Sequence, residues 1–340
     1  MRRGLRLFTV GAYVLWMSFA GRIAGAADTS RNPDRWVELG LQGGGSVSVY
    51  GNQAASSKGT TQDRGTNSSS LNFLNELLVP LNNNWSLRAA GGITSTGSGT
   101  DETKTQVGAS NDNASANYLA TLRYYFLDSH LGSADMSKNP DQCPSLAATW
   151  SGSTQLFNDD IATNTVAENA LQNIDTLTVD TRLPVADAVT ILGDVFVSRS
   201  HSAKDTTSTT AGSNSKSTSV GLGAGFRYYA VGKNFIHADR GTNPDRWSSV
   251  SLVVGGSRIT RGEDDQISVR GVTTTRDLQS KTGDLTSELR LPVTNTLTLR
   301  LSLEGSWSQS EVAETAALAG SRTTTVSLTG FAGVRYYFID

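Results

Sequence analysis

The sequence predicts an all-β chain folded as a single closed antiparallel barrel of about twelve strands. Two observations carry that expectation. Apolar and polar residues alternate strictly over segments of about ten residues, and a unit of four such segments occurs three times in tandem. Aromatic residues gathered at the ends of these segments then decide what surrounds the barrel.

The repeats open with Asn32-Pro33-Asp34-Arg35-Trp36, Asn139-Pro140-Asp141-Gln142-Cys143 and Asn243-Pro244-Asp245-Arg246-Trp247. They close with Arg123-Tyr124-Tyr125-Phe126, Arg227-Tyr228-Tyr229-Ala230 and Arg335-Tyr336-Tyr337-Phe338. Their limits are about 32–128, 139–230 and 243–340, a period of roughly 105 residues. Small solenoid units are far shorter, so each repeat holds several strands.

In each repeat the first strand follows the Asn-Pro-Asp turn. Leu39 and Leu41 alternate with Glu38, Gly40 and Gln42, and Val250, Leu252 and Val254 alternate with Ser249, Ser251 and Val253. Leu146 and Ala148 mark the weaker equivalent. A hairpin follows, centred on Pro80, Pro184 or Pro292. Its third example sets Leu285, Leu289, Leu291, Leu297, Leu299, Leu301, Leu303 and Trp307 on one face. Thr286, Glu288, Arg290, Thr298, Arg300, Ser302 and Glu304 occupy the other. Proline beside a tight turn with Asn or Asp in it suits hairpin geometry. In the last strand, Val326, Leu328, Gly330, Ala332, Val334, Tyr336 and Phe338 alternate with Ser327, Thr329, Phe331, Gly333, Arg335 and Tyr337. Long Ser/Thr/Asn/Gly-rich connections are expected at Gly51–Ser69, Gly97–Asn113 and Arg199–Ser217, with short ones after each second strand.

Residues 1–26 read as a secretory signal: Arg2, Arg3 and Arg6, then a mostly apolar run from Leu7 to Ala20, then small residues at Ala24–Ala27. Residues 27–340 form the barrel. The mature part has no other long apolar run, which excludes helical spans. A net charge of -2 gives no support to nucleic-acid binding. The one cysteine, Cys143, stands where the other repeats have tryptophan and cannot form an internal disulfide.

A soluble sandwich and a membrane barrel both alternate. Segments of about ten residues match a tilted strand crossing a bilayer. Trp36, Trp85, Tyr124, Phe126, Tyr228, Trp247, Tyr336 and Phe338 lie where interfacial girdles belong. Short turns on one side and long loops on the other complete the pattern. With its signal, the hairpin Leu289–Leu299 and the final strand Val334-Arg335-Tyr336-Tyr337-Phe338, the chain resembles bacterial outer-membrane β-barrel proteins of the porin-like kind. The resemblance implies a transmembrane barrel in the outer membrane, lipid around it, and recognition of the final strand by the barrel assembly machinery. Ile339 and Asp340 follow the terminal aromatic, a departure from the usual ending.

Charge on the polar faces is the candidate site. Glu76, Asp180 and Glu288 stand four residues before the turn prolines. Arg88 and Arg300 stand eight after them, with Leu192 at the second position. A hairpin centred on the turn sets Glu76 opposite Arg88 and Glu288 opposite Arg300. Arg123, Arg227 and Arg335 approach from the fourth strands, giving a mixed belt at the periplasmic end of the lumen. Two roles stay open: ion pairs that fill the barrel, or a constriction that selects small solutes. The expected function is passive, weakly selective passage of small hydrophilic solutes; the alternative is a non-conducting scaffold or adhesin. No enzyme is expected. His130 and His237 fall in joins between repeats and His201 in an outer loop, and none shares a face with a convincing serine and acid. Gly40–Gly45 lies in a strand and makes no phosphate loop. Glu263-Asp264-Asp265 reads as a solvated turn, so neither cofactor nor metal is expected.

Overall fold

In the computed structural model, residues 32–34, 37–53, 63–100, 109–127, 139, 141, 143–162, 170–204, 213–231, 249–268, 273–312 and 321–338 are described. They form twelve strands. The first four are β1 (Val37–Gln53), β2 (Asp63–Pro80), β3 (Trp85–Thr100) and β4 (Ala109–Tyr125). The next four are β5 (Ser145–Ala162), β6 (Ala170–Ala186), β7 (Val189–Lys204) and β8 (Ser213–Val231). The last are β9 (Ser249–Ser268), β10 (Thr273–Pro292), β11 (Leu297–Val312) and β12 (Ser321–Phe338). Each pairs antiparallel with its neighbours in sequence, and β1 closes the barrel on β12 from Val37↔Phe338 to Gln53↔Arg322. Closure leaves no strand without a neighbour on each side, which is how a sheet satisfies its backbone groups away from water.

The short turns are built by their own side chains. In the β2–β3 turn the Leu81 amide donates to the Trp85 carbonyl at 2.8 Å. The Asn82 side-chain oxygen accepts from the amides of Asn84 at 2.9 Å and Trp85 at 3.0 Å. The Thr294 hydroxyl does the same between β10 and β11, accepting from Thr296 at 3.2 Å and Leu297 at 3.0 Å. Both are side-chain substitutes for a backbone turn bond. Pro80, Pro184 and Pro292 are buried at the strand ends, where a missing N–H costs little.

Large apolar side chains face outward around the wall. They include Phe73, Ile93, Leu177, Val195, Leu222, Leu303 and Leu328. Trp85 packs on Tyr124, Tyr124 on Phe126 and Tyr336 on Phe338, with ring centroids 4.9 to 5.1 Å apart. These, with exposed Tyr228, rim the lower edge. Trp36 and Trp247 lie outside the described residues. The upper edge is marked by Trp307 and by Tyr118, which packs on Trp150 and donates a hydrogen bond to the outward Asp175. From the Leu297↔Tyr336 pair to the Trp307↔Val326 pair is ten residues along β11. At about 3.3 Å per residue and a tilt near 40° the belt is about 25 Å tall, the height of a bilayer's hydrocarbon band.

Strands of 16 to 20 residues exceed the expected ten. The Ser/Thr/Asn-rich stretches at 51–53, 63–69, 97–100, 109–113, 199–204 and 213–217 are strand rather than loop. Their sequence has no apolar–polar alternation, so periodicity does not reveal them, yet the strand pairing continues through them. For the same reason His201 lies in β7, and Glu263–Asp265 lies in β9 rather than in a turn.

Close approach explains one glycine. A Cβ at Gly44 would fall on the Gly330 carbonyl and the Phe331 ring, which lies inward across β1. Gly44→Ala is expected to cost about 1–3 kcal/mol through overpacking, read as a lower urea midpoint of the lipid-reconstituted barrel.

Candidate functional site

The lumen is polar because the residues opposite each outward apolar side chain must point inward. On β2 and β3, Glu76, only 3% exposed, holds Arg88 at 2.6 Å. The register places Glu76 beside Ala90 and Arg88 beside Leu78, so the contact runs diagonally rather than straight across the hairpin. Likewise Glu288 faces Ser302 and Arg300 faces Arg290. Glu288 still reaches Arg290 at 2.6 Å and Arg300 at 2.9 Å. Diagonal neighbours lie within reach of long side chains. Closure adds a third pair, Arg335 with Glu38 at 2.5 Å. Arg335 and Arg300 also act electrostatically on Glu76, and Arg335 on Glu288. The three pairs are therefore one cluster spread over β10, β11, β12, β1, β2 and β3.

A second cluster covers the other half of the wall. Arg123 on β4 binds Asp180 on β6 at 2.8 Å and donates to the Ser145 hydroxyl at 2.8 Å. Asp141, just before β5, lies 3.6 Å from Arg182 and 3.7 Å from Arg227. Asp180 faces Asp194 across the β6–β7 ladder. Gly223 leaves the space that the Asp194 carboxylate fills. Below them the Tyr125 hydroxyl donates to Asp34 at 2.5 Å.

Above the charges the inward positions carry hydroxyls and amides that bond across strands. Ser46 meets Ser70 at 2.6 Å, Ser200 meets Ser217 at 2.7 Å and Ser306 meets Ser327 at 2.5 Å. Thr121 meets Thr149 at 3.0 Å and Asn117 donates to Thr94 at 2.6 Å. The inner wall thus offers charge near one end and exchangeable hydrogen-bonding groups along its length.

All eight residues of the expected charge belt lie on inward faces. Glu76 and Arg88 are brought together, and so are Glu288 and Arg300. Arg123 on β4 meets Asp180 on β6 across β5, while Arg227 and Arg335 meet Asp141 and Glu38. Sequence reasoning missed Glu38, Asp34, Asp141, Arg182, Asp194 and Tyr125 as members. The Asn-Pro-Asp motif and the Tyr after each repeated Arg-Tyr were visible signals for three of these.

Cys143 is 5% exposed. Burial, with the carboxylates of Asp34 and Asp141 nearby, pushes its thiol up to about 11. A raised thiol pKa leaves little thiolate near neutrality. Alkylation at pH 8 is expected to run on the order of a hundredfold slower than for a free cysteine, measured by maleimide labelling of the folded barrel.

No known family model matches the chain, and no curated protein sequence does either. Similarity appears among solved structures. An outer-membrane channel from Pseudomonas putida F1 superposes with a TM-score of 0.55 at 13% identity, covering 88% of this chain and 95% of that one. The transport unit of the autotransporter AIDA-I from Escherichia coli gives 0.48 at 12% identity, covering 89% and 90%. The translocator domain of the autotransporter NalP from Neisseria meningitidis gives 0.46 at 12% identity, covering 96% and 98%. At these identities the likeness is one of fold: this chain has the fold of the bacterial outer-membrane β-barrels.

Proposed function

We propose that this barrel is an outer-membrane pore for passive, weakly selective diffusion of small hydrophilic solutes. The observation that carries the reading is the lumen wall. It is lined by paired hydroxyls and by balanced clusters of arginine and carboxylate, with apolar side chains turned outward. Such a wall replaces part of a polar solute's hydration without binding it tightly, which is what passage requires. Mixed charge makes the selectivity weak, because neither ion sign meets a uniform field.

The reading assigns residues 1–26 to export and the final strand, ending at Phe338, to recognition by the barrel assembly machinery. It takes outer-membrane lipid as the surroundings, involves no nucleic acid, and gives the chain no catalytic role. Triplication of a four-stranded unit accounts for the architecture. Asn139 bonds the turn of its own repeat as Asn32 bonds the turn of the first, and buried Ser86, Thr190 and Thr298 occupy matching places.

Liposomes carrying the purified barrel are expected to swell in isotonic arabinose and more slowly in a disaccharide. Absence of swelling for every sugar, from protein that shows the unheated gel shift of a folded barrel, would overturn the pore in favour of a scaffold.

A further inference from the structure

The belt of charge on the strands is not the only structure at the periplasmic mouth. Residues 32–34, which precede β1, lie against the inner side of the β2–β3 turn. Asn32 is 1% exposed, and its amide donates to the carbonyls of Asn82 at 2.5 Å and Trp85 at 3.0 Å. Its oxygen accepts from the Asp34 amide at 2.8 Å and from the inward Ser86 hydroxyl at 3.1 Å. Asn139, before β5, repeats this. It is 1% exposed and donates to Ala186 at 2.7 Å and Val189 at 3.1 Å. It accepts from the Asp141 amide at 2.9 Å and from inward Thr190 at 3.3 Å.

Each asparagine therefore uses all its donors and acceptors to pin a segment inside the wall, and leaving such groups unpaired would be costly. Each pinned segment then carries an aspartate further into the lumen. Asp34 reaches inward Tyr125 on β4, and Asp141 reaches inward Arg182 and Arg227 on β6 and β8. Tyr125, which Asp34 reaches, pairs with Ser145 at the start of β5, two residues beyond Cys143, so the two segments come together on one side of the mouth rather than lie on opposite walls.

We propose that these two segments, pinned by Asn32 and Asn139 and tipped by Asp34 and Asp141, form the narrowest part of the passage and set the size of solute admitted. The proposal rests on the pore reading. It relocates the limiting aperture from the strands to the chain that folds in beneath them, so that strand number does not fix the size limit.

The test pairs planar-bilayer conductance with labelling of Cys143, the chain's one cysteine, by a membrane-impermeant maleimide. In the N32A/N139A variant, single-channel conductance is expected to rise at least about twofold. Cys143 should label at least about tenfold faster as its cover loosens. Because buried asparagines also support folding, a second variant, D34N/D141N, keeps both pins and releases only the tips. It should move conductance in the same direction while retaining the unheated gel shift. Unchanged conductance in a conducting barrel whose Cys143 has become reactive overturns the aperture and leaves the pore. A silent wild type with a conducting variant supports the aperture and overturns free passive diffusion. Silence of all forms overturns both.

Discussion

Replacing Glu76 and Glu288 together with glutamine is expected to turn the lumen anion-selective, raising the anion-to-cation permeability ratio about tenfold. The substitution keeps side-chain size and leaves an amide oxygen for Arg88, Arg290 and Arg300 to bond. It removes charge without emptying the site. Before the change, Arg88, Arg290, Arg300 and Arg335 face Glu38, Glu76 and Glu288 within one connected cluster. Afterwards the four arginines face Glu38 alone. Arg335 and Arg300 already act on Glu76 from other strands, so the released positive potential adds up in one region of the lumen. The reversal potential in a potassium chloride gradient reads the effect. It should be large near 0.1 M salt, where the Debye length is about 10 Å, and fade near 1 M, where it is about 3 Å. An unchanged reversal potential at low salt would mean that ions do not pass this cluster.

The faces of the barrel were legible because the outer face is apolar and the inner face polar. That contrast imposes period two on the hairpin at Leu289–Leu303 and on the strand ending Arg335-Tyr336-Tyr337-Phe338. The turns were legible through Pro80 and Pro292 with Asn82 and Thr294. Strand length was not. Beyond the belt the apolar–polar alternation stops, so Ser/Thr/Asn-rich strand and loop have the same composition there. Contacts that depend on closure were hidden as well. Glu38 and Arg335 stand near opposite ends of the chain and meet because β1 pairs with β12. Arg123 on β4 and Asp180 on β6 are not on neighbouring strands and meet across β5. Reading each hairpin as symmetric about its turn set Glu76 directly opposite Arg88. The register is offset by two residues, and the arginine's length makes up the difference. Asn32 and Asn139 stood out as repeated letters, but nothing in their spacing reveals that their amides face the carbonyls of the next hairpin's turn.

Leu303→Arg is expected to cost about 3 kcal/mol when the barrel is unfolded from lipid vesicles in urea. Leu303 is 52% exposed. It lies six residues above Leu297 and four below Trp307 on β11, near the middle of the apolar belt. On a water-facing sheet a half-exposed leucine replaced by arginine changes stability by roughly 0.5 kcal/mol or less. At the midplane of a bilayer the same change costs about 2–4 kcal/mol, falling to about 0–1 near the interfaces. Gln309 supplies the control. It shares the outward face of β11, stands beyond Trp307 and pairs with Lys281 and Thr324. Gln309→Arg should therefore shift the unfolding midpoint little. The difference between the two variants measures depth in the membrane, since strand, face and introduced charge are the same in both. Equal, small effects at both positions would place the outer face in water and remove the membrane from the account of this fold. A large loss at Leu303 alone fixes the belt between the Tyr336 and Trp307 levels. It also fixes which side of each strand faces the lumen, because adjacent residues on β11 point opposite ways.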